Sequence, residues 1–142
     1  MTAPLLPDPA TGFGERVRQR LRDEQVIWFT TVGGDGTPQP NPVWFLWEDN
    51  SVLVYNRSDA NLLAIYAAIP RCVCILTVTD AGATSWCWLG AHKCWKVPPP
   101  HELPGYLDKY RESMTRVSGS PEAFSEAYPV PVRVDVARVR GF

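Results

Sequence analysis

The chain has 142 residues, a length that predicts one domain able to bury a hydrophobic core without disulfides or a structural metal. Its 14 basic and 15 acidic residues nearly balance, so charge favours neither nucleic acid nor an anionic membrane as a partner. We therefore expect a small-molecule partner and, since no basic start is followed by a long apolar run, a cytoplasmic protein without a membrane anchor.

The first predicted elements are a helix and a hairpin. Phe13, Val17 and Leu21 recur at helical spacing near residues 12–23, with arginines on the other faces that we interpret as solvated. Residues 26–32 are rich in β-branched and aromatic side chains, and the glycine-rich stretch at 33–36 predicts a hairpin turn. A strand over about 38–47 should follow.

Further strands and helices complete the pattern. A turn at Asp49 and Asn50 leads into a strand over 52–56, which predicts a three-stranded meander. Ser58 or Asp59 can cap a short helix that stops at Pro70. The later predicted elements are strands over 71–78 and 85–97, a helix over about 103–114, and a strand over 130–137. Between the last two, Ser120 and Pro121 predict the capped start of another short helix. The order predicts an α+β domain over residues 1–142 whose antiparallel sheet can close into a small barrel.

The cysteines and histidines offer no persuasive metal or nucleophile site. The cysteines are expected to be reduced thiols, and Cys-x-Cys followed by single cysteines lacks the paired spacing of zinc knuckles, even with His92. No Ser-His-Asp or Cys-His set appears in persuasive order, so the catalytic group is unknown. We predict no metal. The cysteines are Cys72, Cys74, Cys87 and Cys94.

Four segments carry a resemblance to a known family. They are VIWFTTV at 26–32, GTPQPNPVWF at 36–45, VYNRSDAN at 54–61 and MTRVSGSPEAF at 114–124. Together they resemble the pyridoxamine 5′-phosphate oxidase-like split-barrel family, most closely its actinobacterial branch of F420-dependent enzymes. The resemblance covers residues 10–64 and 101–142 and fails between them.

The resemblance implies an antiparallel split β-barrel with peripheral helices, forming a homodimer with two cofactor sites between the subunits. The implied activity is hydride transfer between a deazaflavin, coenzyme F420, or FMN and a small organic substrate. A non-catalytic flavin or deazaflavin carrier of the same fold is the alternative. A proton would come from solvent or from a tyrosine, and the sequence does not choose between them.

By position, the resemblance also implies cofactor-binding residues on two strands and the following helix. The first strand would run beside the ring, the second would meet the ribityl phosphate, and an asparagine would begin the helix. Each has a plain alternative: Trp44 can fill the core, Arg57 can be a surface charge, and Asn41 can belong to a turn. The implied residues are Asn41, Pro42, Val43, Trp44, Tyr55, Asn56, Arg57 and Asn61.

Residues 65–97 do not match the rest of the chain. They hold all four cysteines, three of the six tryptophans and none of the basic helix that the family places there. Read two bases later, Trp86-Cys87-Trp88 must encode Val and then Leu. With GC-rich codons, 83–91 and 64–70 become segments that resemble the family's missing strand and basic helix. We interpret this stretch as an out-of-frame reading between two compensating indels, which lie either in the gene or in the printed sequence; true divergence is the alternative.

The intact mass of the protein expressed from its natural gene tests whether the out-of-frame reading lies in the printed sequence. If the printed residues 65–97 misread the gene, the mass should differ from the 15.9 kDa of the printed chain by far more than the error of the measurement. A mass equal to that of the printed chain would show that the tryptophans and cysteines are real.

Overall fold

The computed structural model describes residues 6–32, 35–58, 71–76, 84–93 and 97–141, and for strands 71–76 and 84–93 it describes the backbone alone. The helix predicted between residues 58 and 70, and the side chains of 65–96, lie outside this description. Within the described residues the helices are α1 (Gly12–Asp23), α2 (Pro104–Ser118) and α3 (Pro121–Ala127). The strands are β1 (Val26–Val32), β2 (Pro38–Trp44), β3 (Leu46–Glu48), β4 (Ser51–Asn56), β5 (Arg71–Leu76), β6 (Thr84–Lys93) and β7 (Val130–Gly141).

Local signals set the ends of the helices. The Thr11 side chain accepts a hydrogen bond of 3.0 Å from the Gly14 N–H and so caps α1. Ser120 caps α3 in the same way, with Pro121 in the first turn, as the sequence predicted. In the part of the chain that is described, no helix is both long and apolar enough to cross a bilayer.

The sheet differs from the predicted meander. All pairs are antiparallel in the order β2-β1-β5-β6-β7-β4-β3, and the predicted β1–β2 hairpin forms with Val26 opposite Trp44. However, β4 pairs with β3 and β7 and not with β2. The meander was wrong because the predicted strand over 38–47 breaks at Phe45, and its two parts join opposite ends of the sheet.

This break makes the sheet curl. Strands β2 and β3 are the two edge strands, yet Phe45 alone separates them along the chain. The sheet must therefore bend round until its two edges meet at Phe45, while no ladder between the described residues closes it. This is the predicted α+β class with an antiparallel split barrel.

Alternation along the strands divides the core in two. In β4, Val52 and Val54 point to an inner cluster that α1 covers with Val17 and Leu21. Leu53 and Tyr55 of the same strand point to the other face of the sheet, where α2 and α3 pack. The remaining members of this outer cluster are Tyr106, Tyr110, Met114 and Phe124.

One arginine of α1 departs from the predicted solvated face. Arg20 is only 8% exposed and its Nε lies 3.3 Å from Glu24 Oε1. It is buried because position 20 lies one turn after the core residue Val17, on the same side of the helix.

The break at Phe45 is held by two side chains of α2. The Phe45 N–H donates to the Tyr110 hydroxyl at 3.0 Å, and that hydroxyl lies 2.6 Å from the Gln25 carbonyl oxygen, to which it can donate its proton. Lys109 Nζ donates to the Phe45 carbonyl at 3.1 Å and lies 3.8 Å from the centre of the Phe45 ring. Every backbone group that the break removes from a ladder therefore has a partner. We call Phe45, Lys109 and Tyr110 the Phe45 junction.

Replacing Tyr110 by Phe tests the junction. The change leaves the buried Phe45 N–H without its acceptor, so the free energy of unfolding should fall by about 1–3 kcal/mol. Equilibrium urea denaturation measures it. Tyr106→Phe is the matched control, because Tyr106 is equally buried and its hydroxyl bonds to none of the described residues. Equal losses in the two variants would contradict a special role for the Tyr110 hydroxyl.

Candidate functional site

A cavity of about 290 Å³ lies between the ends of β2 and β4 on one side and the helices α2 and α3 on the other. Strands β2 and β4 are not neighbours in the sheet, and the curl at Phe45 brings them together. The cavity is lined by Pro42, Val43, Trp44, Tyr55, Asn56, Arg57, Tyr106, Val117, Phe124 and Tyr128.

Six of the eight residues implied as cofactor-binding line this one cavity, contributed by the stretches 42–44 and 55–57. Asn41 belongs to β2 but does not line the cavity; its side-chain amide donates to the Gln39 carbonyl at 3.3 Å. Asn61 lies outside the described residues. The six implied residues of 42–44 and 55–57 are therefore brought together in one place. That they bind a cofactor stays a prediction.

Trp44 forms part of the cavity wall and also packs against the helices. Its ring stacks on Tyr110 with centroids 5.0 Å apart and on Phe124 at 5.2 Å. Trp44 can therefore be a core residue and a cofactor-binding residue at once, because the same side chain packs against the helices and lines the cavity. Because Trp44 directly precedes Phe45 in the chain, the Phe45 junction also positions this part of the cavity wall.

The sequence reasoning missed the helix side of the cavity. Tyr106 meets Tyr55 edge-on at 4.9 Å, and Phe124 stacks on Tyr128 at 4.5 Å. The available signal was a repeat of aromatic residues at i and i+4, 106 with 110 and 124 with 128. The sequence did not show that these helices face the ends of β2 and β4.

The cavity walls are apolar and aromatic, with few polar groups. Tyr55 donates its hydroxyl proton to the Pro98 carbonyl, so that hydroxyl is already engaged. Asn56 is buried, and its side-chain amide lies 3.4 Å from the Val54 carbonyl oxygen. Burial raises the pKa of Tyr106 and keeps it neutral.

Arg57 is exposed and follows the end of β4. It adds a positively charged side chain to the lining of an aromatic cavity, an arrangement suited to a planar ligand with an anionic tail.

Nucleophile and metal chemistry find little support among the described residues. His101 Nδ1 lies 2.7 Å from Ser125 Oγ, a contact that the sequence did not reveal. Ser125 is buried outside the cavity and also receives the His101 backbone N–H, so this contact ties α3 to the segment before α2. In the described part of the chain no three His, Cys, Asp or Glu residues cluster; the cysteine and His92 side chains lie outside it.

Comparison with known proteins identifies the fold. No family model matches the chain, and no curated protein matches it in sequence. Many solved structures do match, and proteins of the pyridoxamine 5′-phosphate oxidase-like fold are among them. The chain has the split-barrel fold.

Three of these structures show how varied the proteins on this fold are. An F420 reductase shares 20% identity at a TM-score of 0.62, over 87% of this chain and 94% of the other. An FAD-binding protein from Mesorhizobium loti shares 14% at 0.60, over 89% and 90%. The heme storage protein HutZ from Vibrio cholerae shares 9% at 0.60, over 90% and 92%.

Proposed function

We propose that this chain binds a deazaflavin, coenzyme F420, in the aromatic cavity and transfers hydride to or from a small organic substrate, with FMN as the alternative cofactor. We also propose that it belongs to the pyridoxamine 5′-phosphate oxidase-like family, in the actinobacterial F420-dependent branch, and works in the cytoplasm. The observation that carries the proposal is the convergence of 42–44 and 55–57 on one cavity. The resemblance of these segments to the family had implied the same residues.

The residues present suit such a cofactor. The walls formed by Trp44, Tyr106 and Phe124 offer flat apolar contact to a ring system. Arg57 offers charge-assisted hydrogen bonds to a phosphate. A bound flavin or deazaflavin supplies the hydride chemistry, and the protein supplies binding, orientation and exclusion of water.

The described lining of the cavity offers few groups for acid–base chemistry, which agrees with a cofactor that supplies the reactive atoms itself. Its lining includes no histidine and no carboxylate among the described residues. The Tyr55 hydroxyl is bonded to Pro98, which leaves solvent or the hydroxyls of Tyr106 and Tyr128 as proton sources. Chemistry that needs a strong general base in the protein is therefore disfavoured.

The same scarcity supports a second candidate, a carrier that binds flavin or deazaflavin without turning it over. A cavity whose described lining is mostly aromatic and holds no histidine or carboxylate would suit it. The colour of the purified protein separates FMN from a deazaflavin, which absorbs further to the blue. Binding without oxidation or reduction of the cofactor by any substrate tested would favour the carrier.

The surface beside the cavity supports the proposed homodimer. Trp28 is 42% exposed and lies opposite Pro42, a lining residue, in the β1–β2 ladder. Val117, also at the cavity, is 54% exposed. Large apolar side chains exposed at the edge of a binding cavity are explained if a second copy covers them.

The cofactor proposal is tested by titration of the purified protein with F420 and with FMN. Arg57→Ala should weaken binding of the preferred cofactor about 10–100-fold, the effect of losing a charge-assisted pair with its phosphate. Arg116→Ala is the matched control, because Arg116 is exposed and does not line the cavity. If neither cofactor binds the native chain, the proposal fails; if Arg57→Ala binds normally, Arg57 is a surface charge.

The dimer is tested by sedimentation equilibrium at micromolar concentration. We expect a dimer, with an interface that buries upward of about 2,000 Å². Trp28→Glu should shift the equilibrium towards monomer by placing a charge in that interface. A native monomer that still binds cofactor would exclude a site shared between subunits.

A further inference from the structure

A second cavity, of about 670 Å³, shares no lining residue with the candidate cofactor cavity. It lies between α1, β3 and α2, and its volume is in the range of small-molecule sites. Its apolar walls are formed by Leu6, Leu21, Leu46 and Trp47. Nothing in the proposed cofactor chemistry uses this cavity.

The charged residues of this second cavity are mostly cations. Arg18, Arg22 and Lys109 line it against the single carboxylate of Asp108. Arg18 Nη1 donates to the carbonyl oxygens of Pro7 and Gly14, and Arg22 Nε lies 3.3 Å from the Asp23 carboxylate. These two guanidinium groups therefore already have partners in the protein.

Lys109 differs from the two arginines. Its ammonium makes one hydrogen bond, to the Phe45 carbonyl at 3.1 Å, and lies over the Phe45 ring, but no carboxylate of the described residues lies within ion-pair distance. Burial lowers its pKa to about 8, against the opposing pull of Asp23 and Glu24. The other charges around it are Asp108, Arg111 and Glu112 of α2 and Arg18 and Arg22 of α1. A half-buried ammonium group with unused hydrogen-bond donors thus faces a cavity with apolar walls.

We propose that this cavity binds a small amphipathic carboxylate, with its carboxylate on Lys109 and its hydrocarbon part against the leucines and Trp47. A carboxylate supplies the counter-ion that Lys109 lacks among the described residues, and it accepts hydrogen bonds from the ammonium protons that do not bond to the Phe45 carbonyl. The apolar walls favour a hydrocarbon chain over a small inorganic anion. The site shares no lining residue with the proposed cofactor cavity.

Calorimetric titration with octanoate, in the absence of any cofactor, tests the site. Octanoate should bind the native chain, whereas octan-1-ol and inorganic phosphate should each bind at least about 10-fold more weakly. Lys109→Met should weaken octanoate binding by at least about 10-fold, and Lys109→Arg should retain most of it. Arg57→Ala, in the other cavity, should bind octanoate as the native chain does.

The proton uptake that accompanies octanoate binding is a second measurement, and a lysine with only a structural role would not cause it. A carboxylate favours the charged amine, so binding at pH 8 should take up as much as about half a proton, measured in two buffers of different ionisation enthalpy. Lys109→Arg should bind without that uptake, and this comparison stands even if Lys109→Met fails to fold.

Equal binding of octan-1-ol or phosphate, or unchanged uptake in Lys109→Arg, would overturn the proposal. No binding of octanoate to the native chain would also overturn it. Because no cofactor is present, these outcomes are distinct from a failure of the proposed oxidoreductase function.

Discussion

The structure depends on the way one residue, Phe45, joins the two edges of a seven-stranded sheet. A strand that breaks inside a core exposes an N–H and a carbonyl that water cannot reach, and leaving them unpaired is costly. Tyr110 and Lys109 supply those partners from a helix 65 and 64 residues away. The curl of the sheet at Phe45 therefore depends on the packing of α2 against it, and that packing depends on the curl.

Both cavities follow from this junction. Trp44, the residue before it, lines the candidate cofactor cavity, and Leu46, the residue after it, lines the second cavity. Tyr110 stacks on Trp44, while Lys109, its neighbour on α2, faces the other side. The two candidate sites thus lie on either side of a shared hydrogen-bonded centre.

The fold alone leaves the chemistry open, since proteins as different as an F420 reductase and a heme storage protein share it with this chain. The proposed flavin or deazaflavin is favoured by the lining of one cavity: aromatic walls, one arginine, and no histidine or carboxylate among its described residues. Such a lining suits a ligand that brings its own reactive atoms.

The sequence by itself determined the elements whose signals are local. The Ser120 cap, the alternation of Val130 to Val136 and the turn at 49–50, where both residues have positive φ, needed nothing beyond neighbouring residues. Resemblance added the strand half of the candidate site. Only the tertiary structure decided the break at Phe45, because apolar alternation continues through that position and the partners that permit the break lie far along the chain. The helix half of the cavity depended on tertiary structure for the same reason: periodicity shows which face of a helix is apolar but not which surface it covers.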